Sequence, residues 1–174
     1  LCADRSEGGH LAHLVTQRYR FVFQKIAGFE LQPAPKNPDA VAVSEVELFS
    51  QQGERLLVES ARNPGGLTMW AEGAQYAVDG SRLTKFCDLN FLQHNKSILE
   101  LQLAMPESLG GYRIVTALDA PKRDPTAWQV EACRSGLECD DNPDAWQLIH
   151  EVVRAVPPFE RATPYRDYGL VAPP

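Results

Sequence analysis

The chain has four cysteines, and their spacing decides which of them can form disulfides. Cys133 and Cys139 are six positions apart, a separation that suits a disulfide closing the tip of a hairpin. Four cysteines allow three pairings, so Cys2 with Cys87 is the bridge that this pairing leaves, and buried free thiols are the alternative. No C-x-x-C pair is present, which argues against zinc. We predict the Cys133–Cys139 disulfide and, with it, an oxidising compartment.

Motifs of the common catalytic sites are absent from the sequence. It contains no G-x-S-x-G, H-E-x-x-H or P-loop motif and no glycine-rich dinucleotide fingerprint. Glu45 and Glu47 are two positions apart, which places them on one face of a strand, as is common in solvated sheets. We therefore predict that the chain is not an enzyme, and a hydrolase is the least favoured alternative.

One triplet carries a modification signal. Asn95-Lys96-Ser97 fits the N-glycosylation sequon and lies in a polar stretch before a predicted strand. Such triplets occur often by chance, so this one matters only if the chain passes through the secretory pathway.

Alternating apolar and polar residues predict the strands that position these groups. Tyr19, Phe21 and Phe23 follow a period of two, and residues 43–48 do the same. No segment shows a sustained 3.6-residue period, and turns rich in glycine and proline separate the strands. The pattern predicts an all-β fold, an antiparallel β-sandwich. The expected strands are residues 19–23, 43–49, 56–59, 98–103 (ended by Pro106), 112–117, 128–132 and 147–153, followed by an extended tail from Pro157.

Length and composition fit one globular domain. Of 174 residues, 44% are hydrophobic and 23% are charged, which is enough apolar material for a core. The net charge of −6 and the lack of a lysine and arginine run argue against nucleic acid and against an anionic membrane surface as the main partner. No apolar stretch approaches the roughly 20 residues of a membrane-spanning helix, so we expect no membrane insertion.

Four segments share motifs with one known family. Residues 43–49, V-S-E-V-E-L-F, resemble its S-E-[IL]-E-L-[YF] strand, and residues 77–86, A-V-D-G-S-R-L-T-K-F, resemble its D-G-x-x-x-T-x-W loop. Residues 112–117 and 123–130 resemble its Y-x-[IL]-x-[TS]-A and R-D-P-x-x-W-x-[LV] stretches. The family is the galactose-binding-like, or discoidin-like, superfamily, which includes the coagulation factor type C domains and related carbohydrate-binding modules.

The order of these segments also bears on the resemblance. The S-E strand usually comes last in the family, whereas here it precedes the Asp-Gly loop, so the chain resembles a circularly rearranged subgroup. The resemblance implies a jelly-roll sandwich over residues 18–165, with an N-terminal extension at 1–17 and an extended tail at 166–174.

By the same resemblance, the Asp-Gly loop holds a structural calcium ion. The implied ligands are Asp79 and Thr84 from the loop and Glu45 from the S-E strand. Calcium takes six to eight oxygen ligands, and a tight loop supplies backbone carbonyls together with carboxylates. Gly80 permits the sharp turn. The alternative is a plain Asp-Gly turn with Glu45 as a solvated strand residue.

The resemblance further implies a sugar site on loops at one end of the sandwich. There an aromatic ring stacks on the sugar and polar side chains read its hydroxyls. Trp146 also begins an alternating strand, which favours the core for it, and Asp124 is expected to serve a turn rather than a ligand. The ligand-binding candidates are Trp70, His94, Asn95, Arg123 and Trp146.

These expectations combine into one predicted function and one alternative. We predict a secreted, extracellular binding module that recognises carbohydrate or another surface ligand, with calcium as its one expected cofactor. The alternative is a structural accessory subunit that docks on a larger, membrane-associated assembly in an organelle lumen, for example that of the thylakoid. Phe86 in place of the family's tryptophan, an insertion at residues 132–139 and the proline-rich arms favour the alternative.

Overall fold

The structure, a computed structural model, describes residues 14–29 and 40–170. These residues form eight β-strands and one short α-helix, which confirms the predicted all-β, antiparallel fold class. The elements are β1 (Val15–Ile26), β2 (Val41–Ser50), β3 (Val58–Arg62), β4 (Phe86–Asp88), α1 (Phe91–His94), β5 (Ser97–Thr116), β6 (Pro125–Cys133), β7 (Trp146–Val152) and β8 (Tyr168–Gly169).

Strand β5 belongs to both layers of the fold. Its first half pairs with β1 and β3, and its second half pairs with β2 and β8. Beyond β1, the first layer continues through β6 and β7, and beyond β2 the second layer ends at β4. The result is a curled antiparallel sheet in the order β4-β2-β5-β1-β6-β7, which is sandwich-like.

Strand β5 runs through Pro106, so the prediction that this proline ends a strand was wrong. Pro106 is exposed, and it lies where pairing with β1 shifts register between Thr16 and Arg18. No ladder N–H is needed at such an irregularity, so proline is tolerated. Gly110, which lies between the strands predicted at residues 98–103 and 112–117, also belongs to β5. A Cβ atom there would lie 2.3 Å from the carbonyl oxygen of Ser50, so the close approach of the two strands requires glycine.

The other predicted strands are found with small shifts in their limits. Residues 19–23, 43–49 and 128–132 lie inside β1, β2 and β6, and residues 147–152 lie inside β7. The short strand expected at residues 56–59 is β3, displaced towards the C-terminus.

Both predicted terminal extensions contribute to the sheet where the structure describes them. Strand β1 begins at Val15, inside the expected N-terminal extension, and residues 1–13 lie outside the described ranges. The expected tail contributes β8, which pairs with β5, and residues 171–174 lie outside the described ranges.

Aromatic side chains from four strands meet in the core. The Trp128 indole N–H donates to the Tyr112 hydroxyl over 2.9 Å, and that hydroxyl lies 2.8 Å from Nδ1 of His150. Tyr168 stacks on Tyr112 with ring centroids 5.0 Å apart, and Phe21 meets it edge-on at 5.1 Å. The Trp128 indole N–H and the Tyr112 hydroxyl therefore both have partners inside the core, as buried polar groups require.

The predicted disulfide Cys133–Cys139 is confirmed, with Cα atoms 6.1 Å apart. Its loop does not project as a free tip. The indole N–H of Trp146 donates to the carbonyl oxygen of Cys139 over 3.2 Å, and the Arg20 guanidinium lies 4.3 Å from the centre of the Trp146 ring. Because Arg20 alternates with core residues of β1, the loop covers the outer face of the first layer.

The remaining possible bridge, Cys2–Cys87, has no counterpart among the described residues. Cys87 carries a free, fully buried thiol, and Cys2 lies outside the described ranges.

Candidate functional site

A buried carboxylate fixes the irregular segment that follows β3. Asp88, the last residue of β4, is 1% exposed. It accepts hydrogen bonds from the Leu67 N–H over 3.0 Å, the Asn90 N–H over 2.9 Å and the Ser97 hydroxyl over 2.6 Å. Since Ser97 opens β5, this network ties the segment to the strand that joins both layers.

Trp70 projects from this fixed segment into solvent. Its side chain is 88% exposed. Backbone hydrogen bonds hold the segment on both sides of it, from Leu89 N–H to Leu67 carbonyl over 2.8 Å and from Cys87 N–H to Glu72 carbonyl over 3.0 Å. The indole face is therefore offered to solvent by a backbone that is already ordered, which lowers the entropic cost of binding a ligand.

Charged side chains border β4 next to this segment. Lys85 Nζ lies 3.2 Å from the carboxylate of Glu72 and 2.6 Å from that of Asp119. Lys85 and Cys87 are two positions apart and so share one face of the strand, where Arg123 approaches the sulfur of Cys87 to 3.8 Å. We refer to Trp70, Glu72, Lys85, Asp119 and Arg123 as the Trp70 site.

The buried thiol of Cys87, next to the Trp70 site, has low reactivity. Burial raises the pKa of Cys87 to about 11, and the nearby Arg123 only partly offsets this effect. The thiol is therefore uncharged near neutral pH, and a thiol rather than a thiolate is a poor nucleophile.

The structure brings together some of the predicted sugar-binding residues and separates others. Trp70 and Arg123 both lie around β4. His94 is the last residue of α1 and Asn95 is its C-cap, and both are exposed. Trp146 is distant from them in the fold, only 7% exposed and covered by Arg20, so its ring has little surface to offer a ligand.

Asp124 has a partner that sequence reasoning did not identify. It is 1% exposed, and Arg161 binds both its carboxylate oxygens, at 2.5 and 2.7 Å. The turn role expected for Asp124 is thus replaced by a buried ion pair that fastens the C-terminal segment to the start of β6. No spacing rule could have paired residues 37 positions apart.

The three residues predicted to bind calcium do come together. The Thr84 hydroxyl donates to the Asp79 carboxylate over 2.8 Å, and the Gly80 N–H donates to Glu45 Oε1 over 2.8 Å. Gly80 has a φ of 80°, the left-handed conformation that its lack of a Cβ permits. Glu45 is 1% exposed, so it is not the solvated strand residue of the alternative interpretation.

The electrostatics of this loop set the charge state of Glu45. Burial raises the pKa of Glu45 to about 7, and the adjacent Asp79 carboxyl adds to the effect. Arg55, whose guanidinium lies 3.3 Å from the other oxygen of Glu45, opposes it.

The oxygen atoms around the Asp-Gly loop are of the type that binds a hard cation, but few side chains supply them. No group of three or more His, Cys, Asp or Glu side chains in the described ranges is arranged to hold a metal. Glu45 and Asp79 provide two neighbouring carboxylates, Thr84 provides a hydroxyl, and loop carbonyls supply the remaining oxygen type that calcium accepts. A cation between two carboxylates would relieve the repulsion that helps to raise the pKa of Glu45.

A shallow groove borders the same loop. It has a volume of about 310 Å³, an apolar floor and a charged rim formed by Glu47, Arg55 and Asp79. This volume is at the lower end of ligand pockets, so the groove suits a small ligand or one side chain of a partner. The apolar lining residues are Val46, Leu48, Leu56, Leu57, Val58 and Val78.

No family model, curated protein or solved structure matches this chain. The fold and the sites described above therefore carry the functional argument.

We predict that Glu45 makes stability depend on pH in a defined direction. Its folded pKa lies above the usual value of 4.5, so between these values the native state binds more protons than the unfolded state. The free energy of unfolding should fall as pH rises from 4.5 to about 7, by an amount on the order of 2 kcal/mol. Urea denaturation without divalent cations measures it, and Glu45→Gln should flatten the profile.

Glu54→Gln is the matched control, because Glu54 is an exposed carboxyl at the turn after β2. This variant should keep the wild-type slope. Superimposable profiles for the wild type and Glu45→Gln would contradict the assignment.

Proposed function

We propose that the chain is a non-catalytic binding module of the discoidin-like kind, and that a carbohydrate stacks on Trp70. The observation that carries this proposal is an indole 88% exposed on a backbone segment fixed by Asp88. A tryptophan that serves the fold is normally buried, as Trp128 is at 0% exposure. An exposed aromatic face that is held in place suits the apolar face of a sugar ring.

The remaining members of the Trp70 site supply the polar half of this recognition. Carboxylates of Glu72 and Asp119 accept from sugar hydroxyls, and Lys85 donates to them. These charges already form ion pairs with one another, so they are oriented before a ligand arrives. The net charge of −6 favours a neutral sugar over a polyanionic one.

We predict that Trp70→Ala weakens glycan binding by more than tenfold, equivalent to about 1.4 kcal/mol. The melting temperature should stay near that of the wild type, since exposed substitutions usually change stability by less than about 0.5 kcal/mol. A glycan array followed by titration of the best ligands makes the measurement. Met105→Ala, which removes another exposed apolar side chain at 69% exposure, is the control and should bind normally.

An array on which the wild type binds nothing, or on which Trp70→Ala binds as well as the wild type, would refute carbohydrate recognition at Trp70.

A second candidate function, the accessory subunit, draws support from a different surface. Val153, Val156 and Phe159 are 71%, 84% and 99% exposed, and they are spaced by three in a segment that contains Pro157 and Pro158. Extended proline-rich segments with this spacing present their side chains in a row, a form in which one protein docks on another. Ala155 between them is anchored by its N–H to the Thr126 carbonyl over 2.7 Å.

If the chain is an accessory subunit, it should co-purify from its source at a stoichiometric ratio with a larger protein. Phe159→Ser should then lose the partner while Leu83→Ser, 82% exposed on a different loop, keeps it. A wild-type chain that purifies alone at native concentration would count against this candidate.

Calcium is the cofactor we propose, with Glu45, Asp79 and Thr84 as the side chains that would hold it. When bound, it would tie the Asp-Gly loop to β2 and stabilise the folded state. This role is structural, so it is independent of ligand contact at the Trp70 site.

We predict that calcium raises the melting temperature by a few degrees when in large excess over its Kd. The rise should be larger at pH 8 than at pH 5.5, because calcium must displace the proton that Glu45 holds below about pH 7. Thermal melts with calcium and with chelator measure the effect. Asp79→Asn should abolish it, whereas Asp119→Asn, an exposed acid outside the loop, should not.

Identical melts with calcium and with chelator at pH 8, with no bound metal in elemental analysis, would mean that the loop is a turn only.

The proposed setting is secreted, with an organelle lumen as the alternative. The Cys133–Cys139 disulfide is compatible with an extracellular or lumenal location, because such bonds persist in oxidising compartments. Among the described residues, no helix is both long and apolar enough to span a bilayer.

A further inference from the structure

The end of α1 and the turn that leads into β5 are exposed. All five residues from Leu92 to Lys96 are exposed. Asn95 caps the helix with a φ of 52°, a left-handed conformation that asparagine adopts more readily than most residues. Its side-chain amide is therefore accessible to a macromolecular modifying enzyme.

The sequence marks this asparagine among all others in the chain. Of its five asparagines, Asn37, Asn63 and Asn142 are followed by proline, and Asn90 has leucine two positions later. Asn95 alone has a hydroxyl residue, Ser97, two positions later and a residue other than proline between. This is the acceptor triplet for N-linked glycans.

The disulfide independently supports passage of the chain through the secretory pathway. The enzyme that forms N-linked glycans acts in the oxidising lumen of the secretory pathway, where a bond such as Cys133–Cys139 also forms. We propose that Asn95 is a site of N-glycosylation.

The reaction requires a lipid-pyrophosphate-linked oligosaccharide as donor. Nδ2 of Asn95 forms a bond to the anomeric carbon of the first sugar, and the bond from that carbon to the pyrophosphate oxygen breaks. The lipid pyrophosphate departs with the electron pair of the broken bond, and the proton that Nδ2 loses passes to solvent.

The burial of Ser97 in the folded chain implies that glycosylation at Asn95 comes before folding. In the folded chain, Ser97 is 2% exposed and its hydroxyl donates to Asp88 over 2.6 Å. Because the hydroxyl is part of the triplet that is recognised, transfer precedes the pairing of β5. After folding, the glycan extends from the exposed turn, and the Asp88–Ser97 bond that holds the Trp70 segment stays intact beneath it.

This arrangement reassigns one candidate of the sugar site. The Asn90 amide, immediately before α1, lies 3.5 Å from the Gly65 carbonyl, so the start of α1 is next to the segment that carries Trp70. A glycan at Asn95 would occupy the side of that segment nearest α1, so Asn95 is an attachment point rather than a ligand contact.

Intact mass spectrometry of the full chain tests the proposal, first on protein isolated from its source and then on variants secreted from cultured eukaryotic cells. The wild type should lose a glycan mass on treatment with peptide N-glycosidase, which leaves aspartate at position 95. Asn95→Asp should show complete loss of that glycan mass. Ser97→Thr keeps both the triplet and the hydroxyl and should retain it.

Asn90→Asp is the matched control, since it makes the same chemical change five residues earlier outside the triplet, and it should keep the glycan. Wild-type protein from its source with no enzyme-sensitive mass would overturn the proposal. A glycan that persists in Asn95→Asp would overturn it equally, because the attachment point would then lie elsewhere.

Discussion

The shared strand β5 is the constraint on which the rest of the structure depends. Because one chain segment pairs with β1 in one layer and with β2 in the other, the two layers cannot slide or separate without breaking both sets of backbone hydrogen bonds. The passage between the layers needs special residues at two points. Pro106 is accepted where no N–H is required, and Gly110 allows the close approach to Ser50.

The same strand connects the core to the candidate site. Its second half carries Tyr112, whose hydroxyl accepts from Trp128 and closes the aromatic core. Its first residue, Ser97, donates to Asp88, and Asp88 in turn holds the backbone N–H of Leu67 in the Trp70 segment. Buried polar contacts that reach the sheet thus hold the backbone that carries the exposed Trp70. The segment is therefore an ordered surface rather than a loose loop.

The sequence predicted what local patterns determine. Period-two alternation located β1, β2, β6 and β7, and a six-residue spacing located the Cys133–Cys139 bridge. The resemblance of the Asp-Gly loop to a known motif predicted that Asp79, Thr84 and Glu45 of β2 lie together. What escaped prediction depends on tertiary context. Arg161 reaches Asp124 only because the C-terminal segment returns to β6, and Lys85 meets Glu72 only because the Cys87 N–H of β4 bonds to the Glu72 carbonyl.

The central claim is that a ligand is held by the face of Trp70, and the three tryptophans allow it to be tested within one molecule. The indole N–H groups of Trp128 and Trp146 bond to Tyr112 and Cys139, so their NMR signals report on the core and on the disulfide loop. Titrating the ¹⁵N-labelled chain with the glycan that binds best on the array should shift the Trp70 indole signal and leave the other two in place. A saturating ligand that leaves the Trp70 signal unmoved would contradict the account.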